Sequence, residues 1–110
     1  MEHLFVYGLF RDSARNLLGD FVKCGKATVD GKLYKVNEFY PGFIEGKNGK
    51  VCGDVYLIDS SVLPQLDDFE GDEYIRKKIK ISTDLECWIY VYKYETDKFK
   101  EIIGGDWMLR

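Results

Sequence analysis

Residues 3–7 form a short apolar run stopped by Gly8, which predicts an N-terminal strand entering a tight turn. Asp12 or Ser13 can then cap a brief helix through Leu18, with Gly19 as its stop. Residues 21–29 and 32–36 flank Asp30-Gly31, and an Asp-Gly pair between two apolar-rich stretches predicts a hairpin. Residues 37–42 carry Pro41-Gly42 and read as a loop. Residues 43–45 and 51–58 flank Lys47-Asn48-Gly49-Lys50, a second predicted hairpin. The period then changes from two to three or four. Asp59-Ser60-Ser61 supplies caps, Pro64 falls early where a helix tolerates it, and Val62, Leu63, Leu66 and Phe69 share one helical stripe that ends at Gly71.

Alternation returns over residues 74–82, with Ile75, Ile79 and Ile81 on one side, and sharpens over residues 85–94. There Trp88, Tyr90, Tyr92 and Tyr94 face one way, Ile89 and Val91 the other. Both faces are apolar or aromatic, so this strand belongs in the middle of a sheet, between a core and either a second core or a pocket. Residues 102–107 read as a loop-like tail. The sum is an α+β chain of roughly seven strands and two short helices, with a mixed, mostly antiparallel sheet that curls into a small barrel.

Composition narrows the class. A chain of 110 residues is one domain, residues 1–110. Seven Phe, eight Tyr and two Trp are a large packing resource that favours strands. The net charge of −3, with its basic residues scattered, argues against nucleic-acid binding. The densest basic run, Arg76-Lys77-Lys78-Ile79-Lys80, reads as a solvated strand face or edge. Cys24, Cys52 and Cys87 are odd in number, lack CxxC spacing and have only His3 as an imidazole partner, so no metal site and no disulfide framework is expected. Each lies in a strand pattern and reads as a buried thiol. The N-terminus lacks the basic-then-apolar order of a signal peptide, and no apolar stretch approaches membrane-spanning length. A cytoplasmic protein without membrane contact is the default.

With one histidine, Ser-His or Cys-His nucleophilic machinery is hard to build, and any enzyme here relies on carboxylates and backbone dipoles. Two places qualify. At Tyr7-Gly8-Leu9-Phe10-Arg11, successive N–H groups after a strand can form an anion nest, or simply an ordinary turn. At Leu66-Asp67-Asp68-Phe69-Glu70-Gly71, Glu70 sits at the helix's negative end, where the dipole and partial burial both raise a carboxyl pKa. A solvated acidic helix end is the other reading of that segment.

The order of these motifs resembles the γ-glutamylcyclotransferase-like family. Residues 5–11 resemble its apolar strand and Tyr-Gly-Thr-Leu loop, and Tyr40-Pro41-Gly42 its second loop. Leu66-Asp67-Asp68-Phe69-Glu70-Gly71 with Tyr74 and Arg76 resembles its Leu-Asp-x-x-Glu-Gly element, and Gly105-Asp106-Trp107 its C-terminal signature. The resemblance implies a small distorted β-barrel with packed helices, Glu70 as the catalytic acid/base, and Tyr7, Gly8, Leu9, Phe10 and Tyr74 as substrate-binding residues. It implies conversion of a small-molecule γ-glutamyl substrate to 5-oxoproline and a free amine without a cofactor. Leu9 stands where the family usually has Thr, and Phe10 where it has Leu. A non-catalytic binding module and an acyl transferase of secondary metabolism remain alternatives on the same scaffold. An apolar rim at Leu9 and Phe10 further implies a preference for γ-glutamylamines over glutathione, whose second carboxylate needs a cation. Arg11 and Arg76 are the nearest by sequence, and Arg76 is expected to point to solvent.

Overall fold

The structure, a computed structural model, describes residues 1–8 and 22–109. Among the described residues six strands form one mixed sheet: β1 (Glu2–Val6), β2 (Val22–Lys35), β3 (Pro41–Ile58), β4 (Tyr74–Lys80), β5 (Glu86–Tyr92) and β6 (Lys100–Glu101), in the order β4-β5-β1-β3-β2-β6. β1 runs antiparallel to β3 and parallel to β5, where Leu4 pairs with Trp88; every other pairing is antiparallel. A 3-10 turn (Ser60–Val62) leads into the helix α1 (Leu63–Glu70). The predicted helix over residues 12–18 lies outside the described residues.

The apolar run of β1 has a simple cause. Phe5 and Tyr7 face a core with Val29, Leu33, Phe43, Val51, Val55, Ile89 and Trp107, inside the curl of the sheet. Leu4 and Val6 face a second core with Tyr56, Ile58, Tyr90 and the helix residues Leu63 and Leu66. A strand buried on both faces shows no alternation. β5 has the same double role, as its two apolar faces predict: Cys87 and Ile89 join the first core and Tyr90 the second. The curl brings distant elements together. Ser82 N–H donates to the Thr28 carbonyl oxygen at 2.9 Å, and a Cβ on Gly42 would lie 2.9 Å from Tyr92 Cβ. The edges β4 and β6 are not paired with each other, so the sheet is an open, half-closed barrel.

Several sequence expectations need correction. Neither predicted hairpin turns the chain back: β2 runs through Asp30-Gly31, and β3 runs from Pro41 to Ile58. Asp30 pairs with Lys50 and Gly31 with Glu45, so residues 46–49 are an excursion within β3, opposite a register shift in β2. The hairpin falls at residues 36–40, where Asn37 Oδ1 accepts from the N–H groups of Phe39 (2.8 Å) and Tyr40 (3.1 Å). Pro41 and Gly42 therefore begin a strand. Cys24 is exposed: Lys23 pairs with Tyr56 and Gly25 with Val55, which makes Cys24 the extra residue of a bulge. Cys52 is half-buried and Cys87 buried. Phe69 and Ile75, expected on apolar stripes, are 53% and 49% exposed. The tail is loop over residues 102–106 as expected, set between β6 and a 3-10 turn (Trp107–Leu109), with Ile102 and Trp107 buried. The basic run does occupy an edge strand, β4, with Lys77, Lys78 and Lys80 exposed.

Candidate active site

Asp59 caps the 3-10 turn that leads into α1 by accepting the Ser61 N–H at 2.9 Å, a cap worth about 1 kcal/mol, and Pro64 falls in the first turn of α1 itself. It ends at Gly71, whose φ of 79° suits glycine and whose N–H returns to the Asp67 carbonyl at 3.0 Å. Leu63 and Leu66 plant the helix in the second core, and the next position on that stripe, four residues beyond Leu66, is Glu70. Here the apolar packing gives way to a cavity of about 320 Å³.

Residues 4–8 at the end of β1, Tyr40 and Pro41 at the start of β3, Leu66, Phe69 and Glu70 of α1, and Glu73, Tyr74 and Tyr90 line this cavity. Four of the sequence-predicted site residues, Tyr7, Gly8, Glu70 and Tyr74, therefore meet. Leu9 and Phe10 lie outside the described residues.

Each of the four has a defined state. Burial alone pushes the half-buried Glu70 carboxyl from 4.5 up to about 7. Tyr7 is 6% exposed, and its hydroxyl donates to the Tyr90 carbonyl at 2.6 Å, so its side chain braces β1 against β5. Burial, then the neighbouring Tyr74 and Glu70, hold that phenol protonated far above its ordinary range. Tyr74 donates to the Pro41 carbonyl at 2.6 Å and sets its ring edge-on to Tyr40 and Tyr92. Burial likewise pushes its pKa up, so it stays a donor. Gly8 needs to be glycine because a Cβ would sit 2.7 Å from Pro41 Cδ; its backbone is not in the left-handed region.

The structure adds one residue that the sequence did not single out, Glu73, and contacts that it did not signal. Tyr40 Oη donates to Glu73 Oε1 at 3.0 Å, placing a second carboxylate on the cavity wall. Asp67, one turn before Glu70, accepts from Arg76 Nε at 2.8 Å, Arg76 Nη2 at 3.1 Å and Tyr90 Oη at 2.7 Å. Arg76, expected to point to solvent, thus clamps the helix to β4 and lies over the Trp88 ring, 4.3 Å from its centroid. The hydrogen bonds from Arg76 hold the Asp67 pKa down. Asp67 fixes the helix turn that carries Glu70. No sequence spacing signals the Tyr40–Glu73 contact, which spans 33 residues.

Among the described residues, no helix is long and apolar enough to cross a membrane. Residues 4–109 match the family model "Gamma-glutamyl cyclotransferase, AIG2-like". The γ-glutamylcyclotransferase family protein YtfP of Escherichia coli (strain K12) is 38% identical, over 97% of this chain and 96% of its own length. A putative γ-glutamylcyclotransferase of Vibrio cholerae is 36% identical over 100% and 99%. The solution NMR structure of E. coli ytfP superposes with a TM-score of 0.73 at 34% identity, covering 96% of each chain. With the motif order, the half-closed barrel and the Glu70 cavity already in place, these matches show that the chain belongs to the AIG2-like γ-glutamylcyclotransferase family.

Proposed function

We propose that the chain converts γ-glutamyl amines or γ-glutamyl amino acids to 5-oxoproline and a free amine, with Glu70 as general acid/base. The observation that carries this reading is the Glu70 carboxyl, set in the cavity wall and raised to about 7 by burial. A group near half-ionisation at neutral pH both accepts and returns a proton.

A γ-glutamyl compound contains its own nucleophile, since its α-amine reaches the γ-carbonyl through a five-membered ring. Holding that folded geometry is worth about 7–11 kcal/mol of the barrier. Glu70 takes a proton from the α-ammonium, and the freed amine attacks the γ-carbonyl carbon. As the adduct collapses and the bond to the leaving nitrogen breaks, Glu70 returns its proton to that nitrogen. The surplus proton on the new ring nitrogen reaches the released amine through solvent, giving 5-oxoproline and an ammonium ion. The main-chain N–H of Gly8 and those expected of Leu9 and Phe10 hold the substrate carboxylate or the developing oxyanion. Tyr74 shapes the wall, with its hydroxyl committed to Pro41. The reaction calls for no cofactor.

Of the two cations nearest by sequence for a second substrate carboxylate, Arg76 is paired with Asp67 and does not line the cavity, and Arg11 lies outside the described residues. Among the described residues no Lys or Arg lines it. This supports γ-glutamylamines over glutathione as substrates. The decisive experiment replaces Glu70 with Gln, which keeps the shape and loses the proton. 5-oxoproline release should fall by about 10²- to 10⁴-fold with an unchanged circular dichroism spectrum. Undiminished turnover removes Glu70 from the mechanism.

A further inference from the structure

Glu73 is the second carboxylate of the cavity and takes no part in the proton transfer assigned to Glu70. Its main chain is pinned, with the Glu73 carbonyl accepting the Lys93 N–H at 2.8 Å. Its side chain is oriented by the Tyr40 hydroxyl, 3.0 Å from Oε1. This hydroxyl and that of Tyr92 use part of the capacity of a carboxylate, which has two oxygens and about four lone-pair sites. Among the described residues Glu73 forms no ion pair. Tyr40, Tyr74 and Tyr92 surround it, their rings meeting edge-on at 6.3 and 5.5 Å. A half-buried, pre-oriented carboxylate among electron-rich rings is a receptor for an ammonium or guanidinium group.

The cation it meets is not the α-ammonium of the glutamyl half. That group has to lose a proton to Glu70, and pairing it with a second carboxylate would stabilise the charged form and oppose the reaction. The remaining part of the substrate is the leaving amine. We propose that Glu73 is a specificity-determining residue that binds a positive charge at the far end of the leaving amine, so that γ-glutamyl conjugates of diamines are preferred over those of neutral amines or amino acids. The proposal rests on the cyclotransferase reading of the same cavity and adds its substrate class.

Three conjugates of equal chain length test it: γ-glutamyl-1,4-diaminobutane, γ-glutamyl-butylamine and γ-glutamyl-4-aminobutyrate, whose tails end in a positive, a neutral and a negative group. The kcat/KM for 5-oxoproline release should follow that order, with at least tenfold between the first two. Glu73→Gln, which can still accept from Tyr40, should bring that ratio within about twofold, and Glu73→Lys should make the aminobutyrate conjugate the best of the three. Equal values in the wild type, or an order unchanged by Glu73→Gln, overturn the proposal. If no conjugate releases 5-oxoproline, the cyclotransferase reading fails and calorimetric binding of the same compounds decides the point. A tenfold tighter diaminobutane conjugate, with the advantage lost in Glu73→Gln, sustains the role of Glu73; equal or undetectable binding rejects it.

Discussion

Glu70 is charged at a cost, and that cost is measurable without any substrate. Its carboxyl titrates at about 7 in the folded chain against 4.5 for the free side chain, which corresponds to about 3 kcal/mol held against folding once the group is ionised. The folded state binds the proton more tightly than the unfolded state. The penalty is therefore absent below pH 4.5, grows between 4.5 and 7, and is complete above 7. Glu70→Gln cannot ionise and escapes it. The variant should melt above the wild type at pH 8, and the difference should vanish near pH 4.5; a gap that does not change with pH would mean that Glu70 is solvated in the folded protein. An inactive variant that is also more stable marks a residue kept for chemistry. Glu70 was legible in the sequence as a candidate because it closes the helix just before the glycine stop, inside the Leu-Asp-x-x-Glu-Gly element. Glu73 was not, because its partner Tyr40 belongs to another loop and only the fold brings the two together.

At the scale of elements, the legible parts are those set by local periodicity, and the misread parts are those where glycine-rich signals have two structural outcomes. α1 appears where its stripe and caps put it, and β5 is central because both its faces are apolar. Asp30-Gly31 and Lys47-Asn48-Gly49-Lys50 carry ordinary turn chemistry, yet the chain uses them to bend two long strands across from each other. A kink and a reversal ask the same backbone freedom of those residues, and only the pairing of residues 41–45 with 31–35 tells them apart. The excursion is further tied by the Lys50–Asp30 ion pair. Gly8 is a clearer case. The end of β1 approaches the start of β3 so closely that a Cβ would meet Pro41 Cδ at 2.7 Å and Cγ at 2.9 Å. Gly8→Val should push these elements apart, destabilise the chain by about 1–3 kcal/mol, and lower turnover further by moving the cavity wall. If thermal melting and 5-oxoproline release both stay at wild-type levels, the close approach does not shape the site.

Across the whole molecule, the half-closed barrel leaves the open end of its first core to be finished by the C-terminal segment. Ile102 and Trp107 enter that core, and between them Gly105 lies against β3, its carbonyl accepting the Cys52 N–H at 2.8 Å. Gly104 and Gly105 both have left-handed backbones, with φ of 90° and 68°, but they meet different surroundings. A Cβ on Gly104 finds nothing within 4 Å, whereas one on Gly105 overlaps the Lys50 carbonyl oxygen and sits 3.0 Å from Val51 Cα. Gly104→Ala should therefore cost only the backbone strain, about 1–2 kcal/mol. Gly105→Ala adds a clash and loosens the Cys52 hydrogen bond, and should cost roughly twice as much, at about 4–8 °C of melting temperature per kcal/mol. Among the described residues none of the tail lines the Glu70 cavity, so turnover per folded molecule should hold in both variants at low temperature. Equal melting losses would show that the tail is not clasped to β3, and lost turnover in fully folded Gly105→Ala would show that the tail and the cavity are coupled through the sheet.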